Sequence, residues 1–121
     1  MKNTQPRIVD LNTPQFQSWL TGSNKVLEDH RQKNCPNLPK ESLQPSEGER
    51  YIKISRISDN KDPQTGRPIV NSVYAFIDRT NGDVLMAASW RAPAKHARGN
   101  LFSPDNGLPC VGPYGIAYLR G

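Results

Sequence analysis

The chain has 121 residues, with 16 Lys and Arg against 11 Asp and Glu, giving a formal net charge of +5. This length fits a single domain, 1–121, and its 35% hydrophobic content, 11 Pro and 9 Gly predict a compact core with long irregular segments. No run of about 18 apolar residues is present, which excludes a transmembrane helix, and the surplus of positive charge suits nucleic acid, an anionic surface or an acidic protein.

The first residues, MKNTQPRIVDLNT, lack the apolar centre of a secretory signal, so a cytosolic location is expected. Cys35 and Cys110 are then expected as thiols. Ile8, Val9 and Leu11 make a short apolar patch, read as an edge strand or a docked arm. Thr13-Pro14 predicts a helix start, with a hydroxyl N-cap and Pro at the first helical position. Phe16, Trp19 and Leu20 share one helical face. Thr21-Gly22-Ser23 interrupts the pattern before Val26, Leu27 and His30, so one kinked helix and two short ones fit equally well. Residues 35–50, CPNLPKESLQPSEGER, read as a long proline-rich loop or linker inside the domain.

Tyr51 to Ile57 alternates as a strand, with Ile52 and Ile54 on one side and Tyr51, Lys53 and Ser55 on the other. Ile57 falls out of phase, the mark of a bulge or a strand end. A polar connector, Ser58 to Pro68, leads to the strongest β segment, Ile69 to Ile77. There Val73, Ala75 and Ile77 alternate with Tyr74 and Phe76, so both faces are apolar. Asn81-Gly82 favours a hairpin turn, and Val84 to Trp90 returns antiparallel. From Arg91 the chain reads as irregular: Ala92-Pro93-Ala94 opposes strand continuation, and Lys95 to Asn100 forms a helical turn or a loop. A last short strand is expected over Gly115 to Leu119. The expected core is Phe16, Trp19, Leu20, Val26, Leu27, Ile52, Ile54, Val73, Ala75, Ile77, Val84 and Met86.

Most catalytic and cofactor chemistry finds no pattern here. His30, Cys35, His96 and Cys110 lack the close ligand pairs of a zinc site. There is no nucleophile elbow, phosphate loop or dinucleotide fingerprint. Asp78 and Asp83 flank the hairpin turn, where turn chemistry accounts for both. No cofactor and no metal are expected, and the protein reads as non-enzymatic. The distinctive signal is basic and aromatic: Trp90, Arg91, Lys95, His96 and Arg98 lie close together in the chain. Tyr51, Lys53, Tyr74, Phe76 and Arg79 fall on strands or turns that can bring them near. Cations that track phosphates and rings that stack on bases are the means of binding single strands. The plainer alternative is that Trp90 closes the core and the cations are a solvated rim.

Residues 73–100 contain the words GDVLMAASW and RAPAKHARGN, and the chain closes on Ala117-Tyr118-Leu119-Arg120. These features resemble a family of small tailed-bacteriophage proteins with a Gly-Asp turn, a strand, a Trp-basic-Ala-Pro-Ala-Lys run and a short Tyr-Leu-Arg ending. The resemblance covers roughly the C-terminal 50 residues, implies a phage product acting in the host cytoplasm, and carries over no catalytic residue.

The expected architecture is α+β: a small antiparallel sheet of three to five strands with an N-terminal helical segment packed on one face. The expected function is non-enzymatic binding of single-stranded nucleic acid, DNA or RNA. Arg91, Lys95 and Arg98 would contact phosphates, Trp90 and Tyr74 would stack, and Lys53, Arg79 and His96 would support them. A host protein or a small anionic ligand is the alternative partner. No membrane partner is expected, and an open sheet edge makes a homodimer possible.

Overall fold

Pro14 starts one continuous helix, α1, Pro14–Asn34, which runs through Thr21-Gly22-Ser23 without a break. Its buried stripe is Phe16, Trp19, Ser23 and Leu27, which lie on one face at helical spacing. Thr13 is the N-cap residue, but its hydroxyl turns back to Asp10, accepting that residue's amide at 2.9 Å, and makes no cap bond to the helix. Arg31 and Lys33 in the last turn complement the negative end of the helix dipole. This computed structural model describes residues 7–113 and 115–116.

Five strands follow as an antiparallel meander in chain order: β1 Glu41–Glu47, β2 Tyr51–Lys61, β3 Pro68–Asp78, β4 Asp83–Ala87 and β5 Pro93–Asn100. A short 3-10 turn, Leu108–Cys110, leads to a two-stranded hairpin of β6, Val111–Gly112, and β7, Gly115–Ile116. The fold is therefore α+β, as expected. The strand expected over Gly115 to Leu119 is described only at its start, since residues 117–121 lie outside the described part.

Two segments differ from expectation. Glu41–Glu47, read as part of a loop over 35–50, is an edge strand paired with β2 from Glu41 opposite Ser58 to Glu47 opposite Ile52. Its signal is weak because only Leu43 is fully turned into the core and Pro45 interrupts it; an edge strand tolerates Pro, since one side of its backbone is unpaired. Pro93–Asn100, expected as a helical turn or loop, is the opposite edge strand. Two register shifts against β4 erase any alternation there.

The register assigns the two sheet faces. Ile52 pairs with Ile77 and Ile77 with Val84, and this inner face packs under α1 with Phe16, Trp19, Leu27, Leu43 and Ile54. Val9 is fully buried in the same core, and the N-terminal patch is a docked arm: the Ile8 and Val9 amides both donate to the Arg79 carbonyl. Lys53 pairs with Phe76, Phe76 with Leu85 and Leu85 with Ala97, which defines the outer face. Of the expected core, Val73, Val26, Leu20 and Met86 are only partly buried, whereas Leu43, Leu101 and Ile116 are core residues the periodicity does not reveal. The bulge suggested by Ile57 is present: the register slips between Ile54 and Ser55 and again between Arg56 and Ile57.

One glycine holds the C-terminal segment against the sheet. Gly107 has φ +70°, and a Cβ there would lie 3.2 Å from the Asn100 backbone and the Val84 side chain. Gly107→Ala should therefore cost about 2–3 kcal/mol. Thermal unfolding should show a fall of about 10 °C; a fall below about 3 °C would contradict this packing.

Candidate nucleic-acid interface

The outer face carries the candidate site because the β4–β5 connection folds back across it. The Ala88 and Ser89 amides donate to the Ala92 carbonyl at 3.0 and 3.1 Å, and the Ser89 hydroxyl accepts the Arg91 and Ala92 amides at 3.2 Å. This tight loop lifts Trp90 to the surface, 54% exposed. The Lys53 ammonium reaches from β2 to within 5.6 Å of the Trp90 ring centroid, a cation–π contact. Phe76 and Leu85, although on the outer face, are 3% and 6% exposed, so this side of the sheet has its own small apolar layer. Tyr51 meets Phe76 edge to face, with centroids 6.1 Å apart.

Between the loop and the β3–β4 turn lies an open groove of about 570 Å³. One end is formed by Arg91, Ala92, Pro93, Ala94 and Lys95, and the other by Asp78, Asn81 and Asp83. Arg50, Tyr51 and Leu85 complete its wall. Among the described residues, Arg91 and Lys95 enter no ion pair and are exposed. Arg50 is bound instead: its Nη2 donates to Asp78 Oδ2 at 3.2 Å. That hydrogen bond raises the Arg50 pKa further above its usual range. Asp78 is nearly buried, and its second oxygen accepts the Thr80 amide and hydroxyl at 2.9 and 2.7 Å. Asp83 Oδ1 accepts the Asn100 side-chain amide at 2.9 Å.

The expected site residues divide sharply. Trp90 meets Lys53 on the outer face, and Arg91 and Lys95 line the groove beside them, which neither Trp90 nor Lys53 lines. His96 is exposed on β5 but does not line the groove. Arg98 also falls outside it; it is the extra residue where Val84 pairs with Gly99 and Leu85 with Ala97, and its charge bears on the Cys110 thiol. Burial pushes that thiol's pKa up, so Cys110 is held as a protonated free thiol.

Two residues must be corrected. Tyr74 is 3% exposed and no stacking platform. It is the extra residue of the bulge where Ile54 faces Ala75 and Ser55 faces Val73, and a bulge re-aims a side chain. Its ring enters the core, its hydroxyl donates to the Gly112 carbonyl at 2.6 Å, and burial raises its pKa well above the usual tyrosine range. Arg79 is a clamp within the fold. Its Nε donates to the Val9 carbonyl at 2.9 Å and its Nη1 to the Gly48 carbonyl at 2.6 Å, while Nη2 pairs with Glu47 at 3.4 Å.

Arg50, Asn81 and Asp83 are groove residues the sequence reading did not include. The sequence marks Asn81 and Asp83 only as turn residues and Arg50 not at all, because β2 and the β3–β4 turn meet the 90–95 segment only through the sheet register. No curated protein and no solved structure matches the chain. A family model does match over residues 5–115, and the chain belongs to DUF7717, a family of unknown function.

Proposed function

We propose that this protein binds single-stranded nucleic acid, without catalysing a reaction on it, across the outer face of its sheet. The observation that carries this reading is Trp90, exposed on a tight loop, with Lys53 against its ring and Arg91 beside it at the head of the groove. A base can stack on the indole, where an aromatic contact is worth about 1–3 kcal/mol. Lys53, Arg91 and Lys95 are the phosphate contacts. The likeness of residues 73–100 to phage proteins favours the host cytoplasm as the place of action. No helix among the described residues is long and apolar enough to cross a membrane.

Trp90 is also the reporter. Trp19 is fully buried, so it supplies a constant background while Trp90 emission is quenched by stacked bases. Titration with single-stranded DNA and RNA of about eight nucleotides should quench Trp90 and give a log K against log salt slope near −2 for three contacts. Trp90→Ala should weaken binding about tenfold. Absence of quenching, or an affinity indifferent to salt, would refute the reading.

A protein partner is the second reading, favoured by exposed Leu38, Ile69 and Val70 near one end of the sheet. A partner from bacterial lysate that survives nuclease treatment would support it. A homodimer through paired sheet edges is opposed by Pro45 in β1 and Pro93 at the start of β5, because each lacks an N–H to donate.

A further inference from the structure

The groove is electrostatically two-ended, and this sets which part of a nucleotide each end can take. Arg91 and Lys95 form one end. Asp78, Asn81 and Asp83 form the other: Asp83 pairs with Asn100 and Ala87 with Pro93, the two ends of β4, about 13 Å apart by backbone rise. Asp78 is neutralised in place, with one oxygen on Arg50 and the other on Thr80. Asp83 is different. Among the described residues only its Oδ1 is engaged, by Asn100, which leaves Oδ2 as an acceptor at the groove wall. Asn81 uses its Oδ1 to accept the Asp83 amide at 2.9 Å, which leaves its NH2 as a donor. A phosphate placed beside Asp83 would meet like charge in a partly enclosed site. The acidic end therefore takes a base edge, and Tyr51, opposite Asp78 in the strand register, lies at that same end with the Arg50 guanidinium 5.2 Å from its ring centroid.

Resting on the single-strand reading above, we infer that the groove selects bases carrying an exocyclic amino group. Cytosine and adenine present an N–H donor where thymine and uracil present a carbonyl acceptor. Against the Asp83 carboxylate, the amino group makes a charge-assisted hydrogen bond, while a carbonyl is repelled by it and has only the weaker, neutral Asn81 NH2 to accept from. Cytosine against thymine is the clean comparison, because the two rings are alike in size and differ at this edge.

Fluorescence anisotropy with oligo(dC), oligo(dA) and oligo(dT) of equal length tests this on the full chain. The wild type should bind oligo(dC) and oligo(dA) about tenfold more tightly than oligo(dT). Asp83→Asn keeps the shape and an acceptor for Asn100 but adds a donor, so the preference should vanish or turn toward oligo(dT). A residue that only supports the fold would weaken all three oligomers alike. Asn81→Asp, on an exposed side chain that can still accept the Asp83 amide, should strengthen the preference for oligo(dC) and provides the test if Asp83→Asn does not fold. Equal affinity of the wild type for oligo(dC) and oligo(dT), or a preference that both variants leave unchanged, overturns the base selection while leaving the single-strand reading standing. Failure of every oligomer to bind overturns both.

Discussion

Arg91→Glu combined with Lys95→Glu is expected to abolish binding of single-stranded DNA and RNA. Both side chains are exposed, both line the same end of the groove, and neither is in an ion pair among the described residues. Each should give a charge-assisted contact of about 1.5 kcal/mol or more to a phosphate. Losing two, and facing the strand with two new carboxylates, should lower affinity at least about 100-fold at low salt. The salt slope should also become shallower by more than one unit, since about one unit goes with each lost contact. Stability should hardly change, because surface charges away from tight networks contribute little. Lys33→Glu, on the exposed end of α1, is the matched control and should bind like the wild type apart from a small general charge effect. Anisotropy at two salt concentrations measures both quantities. An affinity within twofold of the wild type would remove the groove from the binding surface.

Trp19→Ala is expected to have the largest effect on the fold itself. Trp19 has no exposed surface and lies against Phe16, with ring centroids 6.3 Å apart and planes 25° from parallel. Removing a buried indole costs about 3–5 kcal/mol, through lost burial and the cavity left behind. A domain of this size has a total stability of about 5–15 kcal/mol. The melting temperature should fall about 15 °C, or the variant should fail to fold. A fall below about 5 °C would mean that α1 is not anchored by this residue. Trp19→Phe keeps most of the apolar volume and should cost less. Because α1 covers the inner face while the groove lies on the outer one, the folded Trp19→Phe protein should bind nucleic acid as the wild type does.

The helix and the central hairpin were legible because each writes its period into consecutive residues. Phe16, Trp19 and Leu27 mark a helical stripe, and Ile52, Ile54, Ala75 and Ile77 mark alternate positions facing one core. Asn81-Gly82 marks its turn directly, with Gly82 at φ +82°. The edge strands were not legible. β1 packs only one side of its backbone against a neighbour, so Pro45 is tolerated and little hydrophobic alternation is demanded. β5 slips register twice in a short length, and each slip resets the phase on which any strand pattern depends.

The same division runs through the candidate site. Sequence alone brought Trp90, Arg91 and Lys95 together, because they are neighbours along the chain and need no fold to be close. It also misassigned Tyr74 and Arg79, since chemical type says nothing of burial: one turns into the core at a bulge, and the other is consumed by the N-terminal arm and the β1–β2 turn. Only the tertiary structure decided that Lys53 reaches Trp90, that Arg98 falls outside the groove, and that Asp83 lines the same groove as Arg91 and Lys95. Those contacts depend on strand register, and the register is set by the burial of the whole inner face rather than by any local run of residues.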